Sequence, residues 1–593
     1  MIRSAMLALT LSLLSAAAIA QPVRYVVDLS RAQTQSIDIA VTIPGIDRDT
    51  VDISLPVWRP GRYVVLDLAQ SLSRVSATDA VGDPLPIEKI TKTTWRVQSA
   101  GASEVTVSYR LYCNQLSLRT RHVDDTHAFL SGSGVFMYTE QERGRPVRVT
   151  LANMPDEWQI ATGMDFADGE TNTVVAENFD VLVDSPIEAG IQRRAEFMAA
   201  GKPHEIALWG QGNWDMDRLS DDFAAIVENQ AELFGGVPYE RYVFLIHSQP
   251  GSGGGTEHIN STIMGADPVT PDNDSRYKRF LGLVSHETFH TWNVKSFRPD
   301  GITPYDYLRE NYTDLLWVAE GTTSYYDDLT LVRTGLISVD EYLGRLSSSI
   351  RSMNARPGRH VQSLAESSHD AWIKQFKSDE DAINQTVSIY REGSLANLVL
   401  DLKIREASGG ERSLDDAMQL MYERFPLRLG GYTSEQFQAV CEEVAGESLE
   451  PFFARYVRST APLPLADMLE SVGVQLAREN DEGPRAYLGM RLNGTRVSTV
   501  LDDGPAREAG LIIGDEIIGI NGKRFASGSL DGLVADAEPG EPMRITIARY
   551  GLIRDIDLTL AERPGGRWTV SKRDDATDAK RAAFEDWLKQ AWD

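Results

Sequence analysis

Cysteine is almost missing from this chain: two in 593 residues, Cys113 and Cys441. That excludes a disulfide framework and leaves open one long-range bridge or two free thiols. Histidine is scarce as well, at 9. Long apolar runs are lacking: Met6–Leu14 is too short to span a bilayer, and no later window is apolar enough. Basic charge is in deficit, with 59 Lys and Arg against 86 Asp and Glu and a formal net charge of -27. Such a surface repels nucleic acid and anionic membranes, so neither is expected as a partner; solubility alone accounts for the acidity. Repeat arrays and low-complexity tracts are also missing.

What is present is ordinary globular composition, 42% hydrophobic and 24% charged. The length exceeds what one core supports, so three or four domains are expected. Residues 1–20 read as a signal peptide: Arg3 gives the positive start, Met6–Leu14 the apolar stretch, and Ala18-Ile19-Ala20 a cleavage site before Gln21. The cysteines lie far from that site, so no lipid anchor is expected, and the mature protein is expected in the periplasm or secreted.

Residues 21–190 alternate apolar and polar, as in Ile37, Ile39, Val41, Ile43 and in Val105, Val107, Tyr109, Leu111. Period two between turn residues predicts an antiparallel β-domain. From about 191 to 465 strands give way to helices. Strands are expected over Glu205–Trp209 and Tyr242–His247. Helices are expected over Arg218–Phe234, Leu315–Val332 and Tyr390–Glu406. Ser338 with Glu341 and Thr433 with Gln436 make capping boxes. Ala461-Pro-Leu-Pro464 reads as a linker. Residues 480–563 form a separate unit, and 564–593 a helical tail.

The densest chemistry lies at His286-Glu287-Thr288-Phe289-His290. On a helix, positions i and i+4 share a face, so both imidazoles can grip one metal ion. Glu287 beside them can take a proton from an activated water. A catalytic zinc site wants a third protein ligand. Glu320, thirty residues after His290 on the next expected helix, is the candidate. A carboxylate within an apolar helix needs a partner, and zinc supplies one; a buried ion pair with Arg or Lys is the alternative. Asp327, Asp328 or a backbone carbonyl could orient a ligand histidine.

His-Glu-x-x-His with a distant Glu resembles the gluzincin metallopeptidases. The continuation Thr291-Trp292-Asn293-Val294-Lys295 with Arg298-Pro299 resembles the glycyl aminopeptidase family, whose members carry a C-terminal PDZ domain. Within 480–563, Tyr487-Leu488-Gly489-Met490, Gly504-Pro505-Ala506 and Gly514-Asp515-Glu516-Ile517 resemble that PDZ domain. The resemblance implies a multidomain α+β protein: an N-terminal β-domain, a thermolysin-like zinc peptidase domain with a helical C-terminal part, and a PDZ domain. It implies one zinc ion and peptide substrates with a free N-terminus. It also implies a peptide C-terminus held at Leu488, Gly489 and Met490; a PDZ fold that only packs on its neighbour is the alternative.

Gly254-Gly255-Thr256-Glu257-His258 resembles the Gly-x-Met-Glu-Asn loop of the aminopeptidase N group, which implies that Gly254 and Gly255 line the substrate backbone and Glu257 holds its α-amine. Thr256 and His258 depart from that pattern. Tyr390-Arg391-Glu392-Gly393 resembles the group's Tyr-x-Lys-Gly, which implies that Tyr390 hydrogen-bonds the oxyanion; Glu392 departs. The family resemblance implies removal of small N-terminal residues, Gly or Ala. A zinc endopeptidase recruiting substrate through the PDZ domain, or a non-catalytic PDZ binding protein, are the alternatives.

Overall fold

The computed structural model describes residues 21–117, 120–479, 485–526, 534, 537–563 and 567–592; the expected signal peptide, 1–20, lies outside them. The β-domain forms as the alternation dictates. In Ser36–Pro44, Ile37, Ile39, Val41 and Ile43 are buried on one face. That strand pairs antiparallel with Glu104–Tyr112, setting Ile39 opposite Tyr109 and Val41 opposite Val107. The domain is not wholly antiparallel. Val23–Asp28 runs parallel to Val147–Ala152, an arrangement open to strands joined by a long crossover.

A smaller sheet of this domain orders Gln159–Ala161, Ile187–Gly190, His127–Leu130 and Arg121–Val123. It lies face to face with the catalytic sheet, whose order is Arg193–Ala199, Lys202–Gly210, Tyr242–Ser248, Ser261–Ala266 and Gly255–Glu257. Alternation in Tyr242–Ser248 explains both contacts. Val243 and Leu245 point to the β-domain and pack with Phe129 and Ala161. Phe244 points the other way onto Phe223 of the helix Met216–Phe234, at 4.8 Å between ring centroids. That helix is capped by Asp215 and ends at Gly235 in the left-handed region, φ 76°.

The helices that follow hold most of the core. The expected helix around Leu315–Val332 is in fact two, Leu316–Ala319 and Gly321–Arg333, joined at Glu320. Gly321 is there because helix Arg391–Ala407 passes so closely that a Cβ would overlap the backbone of Gly393 and Ile389. Both capping boxes form, at Ser338–Glu341 and Thr433–Gln436.

The end of the chain is more than a helical tail. Val474–Glu479 pairs with Arg567–Lys572, so the PDZ sheet between them is an insertion in a strand pair. Val474, Val570, Phe584 and Trp587 join the catalytic core. The helix Asp578–Leu588 docks through Trp587, whose Nε1 donates to the Tyr325 hydroxyl at 2.9 Å. Cys113 and Cys441 are both free and buried, which settles against the bridge.

Candidate active site

The helix Asp274–Phe289 starts at Asn273, whose side chain accepts from the Arg276 N–H, and presents His286 and His290 one turn apart. Each ring is fixed from behind. His286 Nδ1 meets Asp327 Oδ1 at 3.0 Å, and His290 Nδ1 meets the Asn293 carbonyl at 2.9 Å. Asp328 is occupied by Arg345 instead. With both Nδ1 atoms engaged, the Nε2 lone pairs face each other at 3.1 Å. Glu320 Oε2 lies 3.5 Å from His286 Nε2 and 3.3 Å from His290 Nε2.

This triangle fits a metal. Zinc bonds of 2.0–2.1 Å in a tetrahedron place ligand atoms about 3.3 Å apart. A second histidine cluster makes the contrast. Between the two facing sheets, buried Glu188 takes His127 Nδ1 at 2.8 Å and His247 Nε2 at 2.9 Å, each on a different oxygen. Those are hydrogen-bond lengths, and the cluster reads as a polar latch between domains rather than a metal site.

The Trp-Asn-Val-Lys continuation has a part for each residue. Trp292 stacks on Phe234 at 4.8 Å and donates to the Gly236 carbonyl. Asn293 Nδ2 donates to the carbonyls of Val318 and Ala319 at 3.0 and 3.1 Å, tying the second histidine to the turn that carries Glu320. Val294 sits at φ 113°, a strained setting for a β-branched residue. Lys295 reaches Asp184 of the β-domain at 2.6 Å and lies 3.8 Å from Glu257.

The edge strand Gly255–Glu257 runs along the histidine helix. At Gly255 a Cβ would collide with the Glu287 side chain, so only glycine allows the approach. Gly254 and Gly255 line a cleft of about 750 Å³ together with Glu257, Glu287 and Tyr390. His258 does not line it. Its ring turns back to Asp184, 3.4 Å away, as expected for a residue two on from Thr256 and facing away from Glu257.

Two buried carboxyls in this cleft are driven apart. Burial disfavours the charge of Glu320, but His290 and His286 outweigh it and hold the carboxyl below its usual range. Burial pushes Glu287 upward, and Glu257 and Glu320 add to the push against the two histidines. Glu287 Oε2 is buried and has no hydrogen-bond partner among the described residues. One carboxyl is thus set as an ionised ligand and the other as a proton acceptor near neutrality. Tyr390 precedes the helix Arg391–Ala407, its ring 6.1 Å from that of His286. Burial and the charges of Glu320 and Glu257 raise its phenol well above normal, so it stays a donor. Glu392 accepts from the Ser388 N–H at 2.8 Å, while Ser388 Oγ takes the Tyr390 and Arg391 N–H groups. It therefore shapes the turn that presents Tyr390.

Residues that the sequence did not single out come from the β-domain. Gly61, at φ 78°, backs directly onto the Glu257 carboxylate. Arg59 donates to Thr256 Oγ1 at 2.8 Å. The signal was the run Trp58-Arg59-Pro60-Gly61-Arg62-Tyr63, which breaks an otherwise alternating pattern.

In the PDZ unit, Gly489 at φ 71° closes on Gly504. Leu488 and Gly489 carbonyls accept from Ala506 and Leu501, at 2.9 and 2.7 Å, and Met490 begins the sheet's edge strand. Asn384 anchors the unit by donating to the Val500 carbonyl at 2.8 Å and accepting from the Asp502 N–H at 3.0 Å.

Two histidines, a remote glutamate and a buried glutamate on this α+β scaffold define a zinc metallopeptidase of the gluzincin type. Residues 24–191 match the M61 peptidase N-terminal domain, 279–396 the M61 glycyl aminopeptidase model and 496–549 a PDZ domain. The chain is thus similar to the M61 glycyl aminopeptidases over its N-terminal and catalytic segments. The crystal structure of an aminopeptidase N family protein from Idiomarina loihiensis is 27% identical and covers 95% of this chain and 100% of its own, with a TM-score of 0.89. An M1 zinc metallopeptidase from Deinococcus radiodurans is 14% identical over 75% of this chain and 95% of its own, with a TM-score of 0.48. A probable periplasmic serine endoprotease DegP-like from Ectopseudomonas mendocina is 33% identical over 94 residues, 16% of this chain. The chain spans about a fifth of the length of the curated relatives it matches.

Proposed function

We propose that this protein is an exported zinc aminopeptidase that removes a small residue, Gly or Ala, from the free N-terminus of peptides. One observation carries the reading. Ligand-capable atoms of Glu257, Glu287 and His290 all lie within 4.8 Å of one another. A carboxylate that holds an ammonium so near the proton acceptor leaves room for one residue before the scissile bond.

His286, His290 and Glu320 would hold the zinc. When bound, zinc lowers the pKa of water and polarises a carbonyl. Glu257 holds the α-ammonium and fixes the first peptide bond in place. Glu287 takes a proton from the attacking water and returns it to the leaving amine. The Tyr390 hydroxyl donates to the developing oxyanion. The Gly or Ala preference is supported by the family's description and by the backbone of Gly61 closing the amine end. Export to the periplasm is supported by the signal-like start and by the DegP-like relatives. Among the described residues no helix is long and apolar enough to cross a membrane. The PDZ loop Leu488-Gly489-Met490 would take a peptide C-terminus as an added strand.

The test is a panel of Gly-, Ala- and Phe-p-nitroanilides and their N-acetyl counterparts, with and without chelator. Chelator-sensitive release from the free Gly and Ala substrates is expected. Equal cleavage of the acetylated set would show an endopeptidase instead.

A further inference from the structure

The cleft is polarised in a way that the metal and the amine anchor do not explain. Its closed end is acidic, at Glu257 under Gly61. From there it runs past His286 toward the start of the helix Asp274–Phe289, where Leu283, Arg279 and Ser275 line it. Across from them stand Ser348, Ser349 and Arg345 of the helix Val339–Asn354. Two cations, with Asp328 beside them, therefore stand at this end of the cleft in a protein of net charge -27.

The two cations differ. Arg345 is neutralised by Asp328. Arg279 is exposed, donates to Ser275 Oγ at 2.7 Å, and makes no ion pair with a carboxylate among the described residues. Gly282, mid-helix and one turn before His286, keeps the floor between Arg279 and the metal site low. A glycine there weakens the helix, so its presence needs a reason. The axial distance from His286 to Arg279 is seven residues at 1.5 Å, or about 10 Å. An extended peptide covers about 3.3–3.6 Å per residue. Two or three residues beyond the scissile bond thus bring a terminal carboxylate to the guanidinium, which suits a planar two-oxygen acceptor.

Resting on the aminopeptidase reading above, we propose that Arg279 receives the C-terminal carboxylate of the substrate. The substrates are then short peptides of three to four residues, gripped at both ends, rather than the N-termini of folded proteins. The acid at one end and the unpaired cation at the other form a ruler.

The experiment compares kcat/KM for Ala-Gly-Gly and Ala-Gly-Gly-Gly with the corresponding C-terminal amides. Wild type is expected to favour the free acids by tenfold or more. In Arg279→Gln that ratio falls to near one, in Arg279→Lys it is partly kept, and in Arg279→Glu it inverts. Inversion is a result that a structural role for Arg279 would not give. Equal cleavage of acids and amides by wild type overturns the proposal and leaves the aminopeptidase reading standing. Wild type that releases no N-terminal residue from any of the four overturns both.

Discussion

Asn293 Nδ2 donates to the carbonyls of Val318 and Ala319, so a residue three beyond the second histidine fixes the turn that delivers Glu320. The metal triangle is therefore not two independent pieces meeting. It is one hydrogen-bonded unit joined through that amide.

Asn293→Ala should weaken zinc binding 10–100-fold, the usual effect of losing a group that orients ligands. It should also cost about 1–3 kcal/mol, since the buried carbonyls of Val318 and Ala319 each lose one donor, Ala319 keeping the Thr323 hydroxyl. Chelator competition and thermal melting measure the two. Wild-type zinc affinity in the variant would show that Glu320 is held by other means.

Glu287→Gln should keep its zinc and lose about 10²–10⁴ of kcat, the range ascribed to a positioned proton acceptor. Metal analysis alongside steady-state kinetics separates the effects. Near-normal turnover removes Glu287 from the mechanism.

Gly61→Ala should act on substrate binding without touching the metal. The new methyl group is strained at φ 78° and presses on the Glu257 carboxylate. A fall of tenfold or more in kcat/KM for Gly-p-nitroanilide with unchanged zinc content is expected. A variant equal to wild type would mean that Glu257 does not need its present position.

Acid should loosen the joint between β-domain and catalytic sheet. Burial disfavours the Glu188 charge, but His127 and His247 hold its carboxyl down at about 2, against 4.5 normally. The folded protein keeps this group ionised where the unfolded chain has already protonated it. Its stabilisation, about 3 kcal/mol, is present above pH 4.5 and is lost as pH falls through about 2. Glu188→Gln should be less stable at pH 7 and should flatten the pH dependence of melting in that window. An unchanged slope would assign the acid sensitivity elsewhere, Asp184 being the next group to test.

Replacing residues 480–566 with a tight turn should leave a folded, zinc-binding chain, because Val474–Glu479 and Arg567–Lys572 already pair. Loss of metal binding in that variant would show that the PDZ unit supports the cleft itself.

Local features were readable from the sequence and long-range ones were not. The i, i+4 histidines, the capping boxes at Ser338 and Thr433, and the alternation in Ser36–Pro44 depend on neighbours a few residues apart. The choice between Asp327 and Asp328 needed side-chain direction, which places Asp327 on His286 and Asp328 on Arg345. The wall supplied by Gly61 and Arg59 lies nearly two hundred residues from Glu257 and Thr256. No periodicity links such segments. The same holds for the strand pair around the PDZ unit, whose halves are separated by the whole of the insertion.

That interruption has a consequence for biogenesis. Trp587 props Tyr325, on the helix that also carries Asp327, and it is made only after the entire PDZ unit. A nascent chain emerging N-terminus first holds every zinc ligand long before it holds this prop. The packing around the helix that bears Asp327 is therefore completed by one of the last segments to be made.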